Sequence, residues 1–315
     1  MSLTVQSTLN HYSVGFRWFM LLPPYWLSWL AVASLTLLSF IPARGRLLLA
    51  KILTPIVRPF CLKPIKIAKV NLSHCFPEYS DAKLRSLEKQ LLQSFLLSGI
   101  NLGALALNKA CVLRAQIKFD GLNYIQQVQE KKKAIIFLVP HVFALEFAAA
   151  GLAMMGIPMI GMIKHHRCPV FNWLACRQRL RFGGQLFHRQ AGIAAVVRSL
   201  KSGNALFYLP DQDHGPNKSI FAPFFGTEKA TLPVLGRMAH CANAEVIPLT
   251  TGFCQKSGQV HIKLSAPLVL GKLNKKEEAQ LLNEKMEQLI KPYIGQYMWF
   301  LKLLKTRPEG QDKIY

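Results

Sequence analysis

The longest apolar segment of the chain lies close to its N-terminus. From Trp18 to Ala43, 26 residues contain no Asp, Glu, Lys or Arg, and about 20 apolar residues are enough for a helix that crosses a bilayer. Pro23–Pro24 places the start of the helix near Tyr25. The pattern predicts an N-terminal membrane-anchoring helix, and it leaves open whether this helix spans the bilayer or lies at its interface.

A basic segment follows this anchor. Seven Lys and Arg residues stand between residue 43 and the first acidic residue of the chain, Glu78: Arg44, Arg46, Lys51, Arg58, Lys63, Lys66 and Lys69. Positive charge beside an apolar helix marks the cytoplasmic side of a membrane, so we expect the chain after residue 43 to be cytoplasmic. Residues 47–60 predict an amphipathic helix on the membrane surface. The alternative is an ordinary solvated helix face.

Helical and extended patterns alternate through the rest of the chain. Residues 80–110 have helical periodicity, and the apolar run Ala134–Val139 is typical of a buried central strand. Further helices are predicted after this run to Met155 and at 169–182, 192–201 and 231–242, and strands at 158–162, 185–187, 205–209, 246–253 and 260–264. The alternation predicts an α/β fold with a mostly parallel central sheet flanked by helices. We divide the chain into an anchor and basic amphipathic segment, residues 1–70, and a globular domain, residues 71–315.

The charge balance indicates an anionic partner. Lys and Arg number 39 against 16 Asp and Glu, which gives a net charge of +23, yet 51% of the residues are hydrophobic. A chain that is both basic and apolar fits the anionic lipids of a membrane better than nucleic acid. We find no helix-turn-helix, zinc knuckle or aromatic stacking motif. A membrane-tethered nucleic-acid-binding protein therefore remains only a distant alternative, and no nucleic acid partner is expected.

A histidine and a glutamate follow the predicted central strand. His141 and Glu146 lie where open α/β sheets place their active sites. Residues five apart on a helix are about 140° apart around its axis, so the two side chains meet only if His141 caps the helix. Glu146 would then accept the N–H of one ring nitrogen and leave the other nitrogen free as a general base.

This His-x4-Glu pattern resembles the signature of the glycerolipid acyltransferase superfamily. Further blocks resemble the late acyltransferases of lipid A synthesis: Asn71–Pro77, Arg181–Gly184, Tyr208–Pro216, Lys229–Pro233 and Leu303–Arg307. Within this family the second, third and fifth blocks are most similar to the LpxM branch, which adds the last acyl chain. The resemblance implies an inner-membrane enzyme whose acyltransferase domain, residues 71–315, faces the cytoplasm.

The resemblance also implies a reaction and its partners. A fatty acyl chain, myristoyl or lauroyl, passes from a thioester on acyl carrier protein to a hydroxyl on an acyl chain of the Kdo-lipid A precursor. His141 is the implied general base and Glu146 its partner. No Ser stands near His141, which favours direct transfer over an acyl-enzyme. The alternative is a glycerophospholipid acyltransferase of the lysophosphatidic acid type, which uses the same pair of residues.

Basic residues are abundant where an acidic glycolipid would bind. Residues 147–210 contain no Asp or Glu, and arginine matches phosphate oxygens well. The wider superfamily keeps an arginine for the acceptor phosphate at the position of Arg189. Arg177 and Arg181 share a helix face, and Lys164 is a further candidate. Arg179 points away from that face and is predicted to be a solvated surface charge.

Asp211 and Asp213 follow the strand predicted at 205–209. One of them is predicted to hold an active-site arginine in place or to order the acceptor; the alternative is that both stand in a turn with Gly215. A metal site built from His141, both aspartates and His214 matches no known spacing. We expect neither a metal nor a cofactor beyond acyl carrier protein as co-substrate. The seven cysteines are an odd number and include no Cys-x-x-Cys pair, which argues against a disulfide framework and against a zinc ribbon.

Overall fold

Helices and strands alternate along the chain in the computed structural model, which describes residues 12–163, 166–188, 191–271 and 273–315. The α-helices in the described residues are α1 Trp26–Ser39, α2 Ala43–Val57, α3 Leu62–Cys75, α4 Asp81–Leu107, α5 Ala110–Arg114, α6 Asn123–Glu130, α7 Leu145–Met154, α8 Pro169–Leu180, α9 Gly192–Lys201, α10 Leu235–Ala242 and α11 Lys275–Ile290. The strands are β1 Ile117–Asp120, β2 Ala134–Leu138, β3 Met159–Ile163, β4 Gly184–His188, β5 Ala205–Tyr208, β6 Ile220–Phe224, β7 Thr227–Thr231, β8 Ala244–Phe253 and β9 Val260–Leu264.

Seven of these strands form one central sheet. Their order is β1-β9-β8-β2-β5-β3-β4, and the pair β8–β9 is antiparallel whereas the other pairs are parallel. The middle strand is β2, in which Ile136, Phe137 and Leu138 are fully buried, because helices cover both faces of a parallel sheet. The predicted α/β fold and its central strand are confirmed.

A second, two-stranded sheet replaces part of a predicted helix. The helix expected from Thr231 begins only at Leu235, because residues 227–231 pair with residues 220–224 as an antiparallel hairpin. Ala222 and Phe224 on β6 and Ala230 on β7 are buried against the domain. The hairpin packs on α11.

The predicted anchor helix is shorter than its apolar segment. α1 has 14 residues and is about 21 Å long, less than the roughly 30 Å hydrocarbon core of a bilayer. Among the described helices, only α4 is long and apolar enough to cross a membrane, and 61% of its most apolar window is buried inside the protein. Both α1 and α2 pack on α4, so α4 joins the N-terminal segment to the rest of the structure.

The predicted amphipathic helix is present as α2. Leu47, Ala50 and Thr54 are buried, whereas the apolar residues of the opposite face are exposed: Leu48, Ile52 and Ile56. Of the seven predicted basic surface residues, Arg46 turns into the protein, whereas Arg58 and Lys69 stay exposed, with side chains 51% and 59% accessible. Arg46 is buried and donates to the side chain of Gln116, and two more contact the buried carboxylate of Glu88: Arg58 and Lys69. Residue 70 falls inside α3.

Candidate active site

His141 and Asp211 are brought together by the register of two neighbouring strands. In the parallel pair β2–β5, Leu138 lies opposite Tyr208, and the Val139 N–H donates to the Tyr208 carbonyl at 3.0 Å. His141 and Asp211 each follow three residues after these paired positions. The two residues therefore leave the carboxyl edge of the sheet side by side, where open α/β sheets place their ligand sites.

Asp211 holds both the backbone and the ring of His141. Its Oδ2 accepts the backbone N–H of His141 at 2.7 Å, and its Oδ1 contacts ring Nδ1. An ionised carboxylate can only accept, so Nδ1 carries the proton and Nε2 carries a lone pair. The side-chain amide of Gln212 donates to Nε2 at 3.2 Å. The ring is thus fixed in the tautomer that a general base needs.

The Asp211 carboxylate is buried but remains ionised. Its side chain is 1% exposed, against 17% for His141. Burial raises the pKa of a carboxyl group, but here the charge and the two hydrogen bonds of His141, together with the charge of Lys229, outweigh burial. They hold the pKa of Asp211 below its ordinary value. A charged acceptor therefore faces the ring at neutral pH.

The predicted hydrogen bond between Glu146 and His141 is wrong. The N-cap of α7 is Ala144 rather than His141, so Glu146 stands in the first turn of the helix and points towards α8. Its carboxylate accepts Nε2–H of Gln178 at 3.0 Å and two N–H groups of Arg179. Both ring nitrogens of His141 have other partners.

The prediction that Arg179 is a solvated surface charge is also wrong. Arg179 forms an ion pair with Glu146 in which the two side chains are only 31% and 23% exposed. Burial raises the pKa of Glu146, but the charge and hydrogen bonds of Arg179 outweigh it and hold that pKa below its ordinary value. Glu146 in turn raises the pKa of Arg179. The pair fixes a guanidinium group close to the His141 loop.

A cavity of about 590 Å³ opens beside His141. Its polar wall is formed by His141, Glu146, His166, Arg167, Gln178 and Arg179. Its apolar wall comes from α7 and from β3 to β5, and includes Leu145, Ala149, Ala153, Ile160, Met162, Leu186 and Phe207. A mostly apolar cavity with a few polar groups in its lining fits a hydrocarbon chain with a polar head.

A second cavity shares this polar wall. It has about 330 Å³ and is lined by α4 and α8 residues such as Leu102, Phe171 and Leu174. Glu146, Gln178 and Arg179 belong to both linings. The ion pair of Glu146 and Arg179 therefore stands where two apolar spaces meet.

The other predicted basic residues lie elsewhere. Arg177 stacks over the Trp173 ring at 5.6 Å. Arg181 donates to the Leu105 carbonyl at 3.0 Å and so caps the C-terminal end of α4. Neither residue lines the two cavities. Two more predicted residues lie outside the described part of the chain: Lys164 and Arg189.

Asp213 joins a turn to the C-terminal segment. Its carboxylate accepts Gly215 N–H at 2.9 Å, Thr306 N–H at 2.6 Å and the Thr306 hydroxyl at 2.7 Å. These contacts match the turn alternative and leave Asp213 without an arginine partner among the hydrogen bonds of the described chain. Within residues 12–163, 166–188, 191–271 and 273–315, no group of three His, Cys, Asp or Glu side chains is arranged to hold a metal ion.

Comparison with known proteins identifies relatives along almost the whole chain. A lipid A biosynthesis acyltransferase of Haemophilus influenzae is 34% identical over 301 residues, which are 96% of this chain and 94% of the relative. A lipid A biosynthesis myristoyltransferase of Escherichia coli K12 is 33% identical, over 93% and 91% of the two chains. A lipid A biosynthesis lauroyltransferase of the same organism is 28% identical, over 93% and 96%.

A family profile agrees with these relatives. The profile described as bacterial lipid A biosynthesis acyltransferase matches residues 13–306. This range includes the His141–Asp211 pair, the Glu146–Arg179 pair and both cavities. The chain therefore belongs to the bacterial lipid A biosynthesis acyltransferases.

Proposed function

We propose that this protein carries out a late acylation of lipid A synthesis. It transfers a fatty acyl chain from acyl carrier protein to a hydroxyl on an acyl chain of the Kdo-lipid A precursor. The observation that carries the proposal is the oriented His141–Asp211 pair at the polar wall of a 590 Å³ apolar cavity. The base and the binding space for a long acyl chain are thus adjacent.

The pair can perform direct acyl transfer. Nε2 of His141 removes the acceptor hydroxyl proton as the oxygen attacks the thioester carbonyl, and Asp211 stabilises the imidazolium that forms. The tetrahedral intermediate then breaks its C–S bond, and the leaving thiolate takes the proton back from Nε2. Gln212 must move from Nε2 when the hydroxyl binds, because both groups use the same lone pair.

Positive charge is available for the oxyanion. Arg167 and Arg179 line the same cavity as His141. A fixed cation beside a developing oxyanion is among the strongest contributions to lowering a reaction barrier. Glu146 acts in this scheme by holding Arg179, not by orienting His141. We propose that four further basic residues contact the acceptor phosphates or acyl carrier protein: Arg189, Lys164, Arg177 and Arg181.

The two cavities support a reaction between two acyl chains. In this proposal the donor chain occupies the larger cavity, and the acceptor's own acyl chain, which carries the hydroxyl, approaches along the smaller one. Their shared wall, Glu146 and Arg179, lies beside the transfer point. The greater identity to the myristoyltransferase than to the lauroyltransferase supports a myristoyl donor of the LpxM type.

We further propose that the N-terminal helices seat the protein on the cytoplasmic leaflet of the inner membrane. Large apolar side chains are exposed along α1, α2 and the turn after α2: Trp26, Leu27, Leu30, Leu37, Phe40, Leu48, Ile52, Ile56 and Phe60. Exposed cations stand beside them: Arg44, Lys51, Lys63 and Lys66. This combination fits one leaflet of anionic lipid.

One assay tests the reaction. Detergent-solubilised protein receives acyl carrier protein with a labelled myristoyl chain and either Kdo-lipid A precursor or lysophosphatidic acid. We expect label on the lipid A precursor, and His141→Ala should lower the rate about 10²- to 10⁴-fold. Lys131→Met, which changes an exposed charge remote from the pair, is the matched control. Label only on lysophosphatidic acid would establish the glycerophospholipid alternative instead.

A further inference from the structure

A glycine stands in the middle of a strand that lines the larger cavity. Gly161 is the third of the five residues of β3, and it lies opposite Leu186 of β4. Its φ is not positive, and the pairing of β3 with β4 is regular from Met159 to Ile163, so neither a special backbone conformation nor a bulge requires glycine here. Glycine weakens the interior of a strand, and it often marks the close approach of a ligand.

β3 gives the cavity three levels. Met159, Gly161 and Ile163 all line it, and alternate residues of a strand face the same side and stand about 6.6 Å apart. Because β3 is parallel to β2, it ends at the same edge of the sheet as the His141 loop. Ile163 therefore lies at the level nearest His141, Gly161 at the middle level and Met159 at the deep level.

The opposite wall follows the same levels. α7 begins after the His141 loop and descends from it, and from Glu146 to Ala153, which both line the cavity, it advances about 10 Å. From Ile163 to Met159, β3 spans about 13 Å. Phe182 also lines the cavity, and it stands two residues before Gly184, the partner of Met159 in β4. Ala153, Met159 and Phe182 therefore bound the deep level.

We propose that Gly161 is a specificity-determining residue, which keeps the middle level open so that a long donor chain reaches the deep level. The inference rests on the proposed function of the larger cavity as the donor site. The reacting carbonyl must stand at His141, so the length of the chain is measured from a fixed point. A side chain at position 161 would enter the cavity beside Leu186, since its Cβ would stand 2.9 Å from Leu186 Cδ2.

Rates with decanoyl, lauroyl, myristoyl and palmitoyl chains on acyl carrier protein test the proposal. Gly161→Leu should lower the ratio of myristoyl to decanoyl transfer about tenfold or more, because each methylene kept out of the cavity loses about fourfold in binding. Ala153→Phe should reduce transfer of the longest chains only, and Met159→Ala should raise palmitoyl transfer. Gly99→Leu is the matched control, since its added Cβ meets nothing within 4 Å and Gly99 lines neither large cavity.

A second readout does not depend on turnover. Native mass spectrometry of the detergent-solubilised protein with an equimolar mixture of fatty acids, from octanoate to palmitate, reports which lengths are retained. Gly161→Leu should retain shorter acids than the wild type and Gly99→Leu. Gly161→Ala, which adds one methyl group, should shift the profile in the same direction by less, and it tests the proposal even if Gly161→Leu does not fold.

Two outcomes would overturn the role of Gly161. One is an unchanged length profile in the Gly161 variants, and the other is an equal loss at every chain length. If the wild type transfers no acyl chain at all, the proposed function fails, yet the lengths of the retained fatty acids still decide whether Gly161 keeps the cavity open.

Discussion

The ring of His141 has its partner in the loop after the neighbouring strand β5 rather than on α7, the helix that follows it. Asp211 is almost completely buried and accepts two hydrogen bonds from one residue. Charge-assisted bonds of this kind fix orientation as well as protonation. A change at Asp211 therefore affects the reactivity of Nε2, which lies on the opposite side of the ring.

Asp211→Asn tests this dependence directly. The amide keeps the shape of the side chain but loses the charge that favours Nδ1–H, so the ring can adopt the wrong tautomer. We expect kcat to fall about 10²- to 10⁴-fold with a small change in KM. The double variant with His141→Ala should be no slower than His141→Ala alone. Near-normal turnover by Asp211→Asn would exclude Asp211 as the partner of the base.

The ion pair of Glu146 and Arg179 predicts that single and double substitutions lower kcat/KM by similar amounts. Removing one partner leaves the other partly buried and unpaired, so Glu146→Ala and Arg179→Ala should each lower kcat/KM about tenfold or more. The double variant should lose little beyond either single one. Glu245→Ala serves as the control, because it removes a similarly buried carboxylate (14% exposed) from an ion pair with Lys131 and Lys133 that does not line either cavity. Fully additive losses would mean that the two residues act independently.

Residue patterns predicted the place of the site better than its contacts. His141 was correctly placed after a buried strand, because apolar runs identify central strands. The partner of His141 was not predicted correctly, because the spacing along the sequence suggests Glu146 and does not show which strand lies beside β2. The sequence does contain one indication of the partner of Glu146. This carboxylate lies on a mostly apolar helix and is followed by 64 residues without Asp or Glu, so the α8 arginines have no other acidic residue nearby in the sequence.

At the scale of elements, α2 shows two different faces. Its inner face packs on the protein through Leu47 and Ala50, and its outer face exposes Ile52 and Ile56 by 56% and 58%. An exposed apolar stripe of this kind is stable in contact with lipid. The amphipathic period was visible in the sequence, but the burial of Arg46 was not, since Gln116 is 70 residues away.

Ile52→Asp with Ile56→Asp should weaken membrane binding. Each isoleucine contributes about 1.5–3 kcal/mol when it leaves water, so the double variant should bind anionic vesicles more than tenfold less tightly. Co-sedimentation with phosphatidylglycerol vesicles measures this, with Val269→Asp as control, because Val269 is 91% exposed away from α2. Equal loss in the control would mean that added negative charge, not the α2 face, is responsible.

At the scale of the whole molecule, the C-terminal segment is tied to two of the family blocks, Asn71–Pro77 and Tyr208–Pro216. Asn71 donates to the Trp299 and Leu301 carbonyls at 2.7 Å each, and the Tyr315 hydroxyl contacts the Asn71 side chain. Thr306 contacts Asp213 beside the His141 loop. The start of the domain, at Asn71, and its C-terminal segment thus form hydrogen bonds with each other, and the C-terminal segment also contacts the loop that carries Asp211 and Asp213. The sequence blocks indicated the family, but their convergence depends on long-range packing that no local pattern encodes.

The same buried carboxylates predict the acid stability of the protein. The folded-state pKa values of Asp211 and Glu146 lie below their ordinary values. The stability that they contribute is therefore complete above the ordinary carboxyl pKa of about 4 and is lost as pH falls through the lower folded values. The free energy of unfolding should be steady from about pH 7 to 5 and fall below about pH 4.

Denaturant titration in detergent at several pH values measures this loss. Asp211→Asn cannot titrate at that position, so its stability should be lower at pH 7 but should decline less steeply in acid. If the free energy of unfolding falls equally steeply with pH in the wild type and in Asp211→Asn, the titration of Asp211 does not contribute to the acid sensitivity.

Within the loops after β2 and β5, the stretches that lead to His141 and Asp211 have equal length and act as matched spacers. From Leu138 to His141 and from Tyr208 to Asp211, the chain advances by the same number of residues. One inserted residue adds about 3.3 Å, more than a hydrogen bond tolerates. Substitutions that keep the loop length leave this alignment intact, whereas a single insertion or deletion removes it. The alignment of His141 with Asp211 therefore depends on the number of residues in these two stretches.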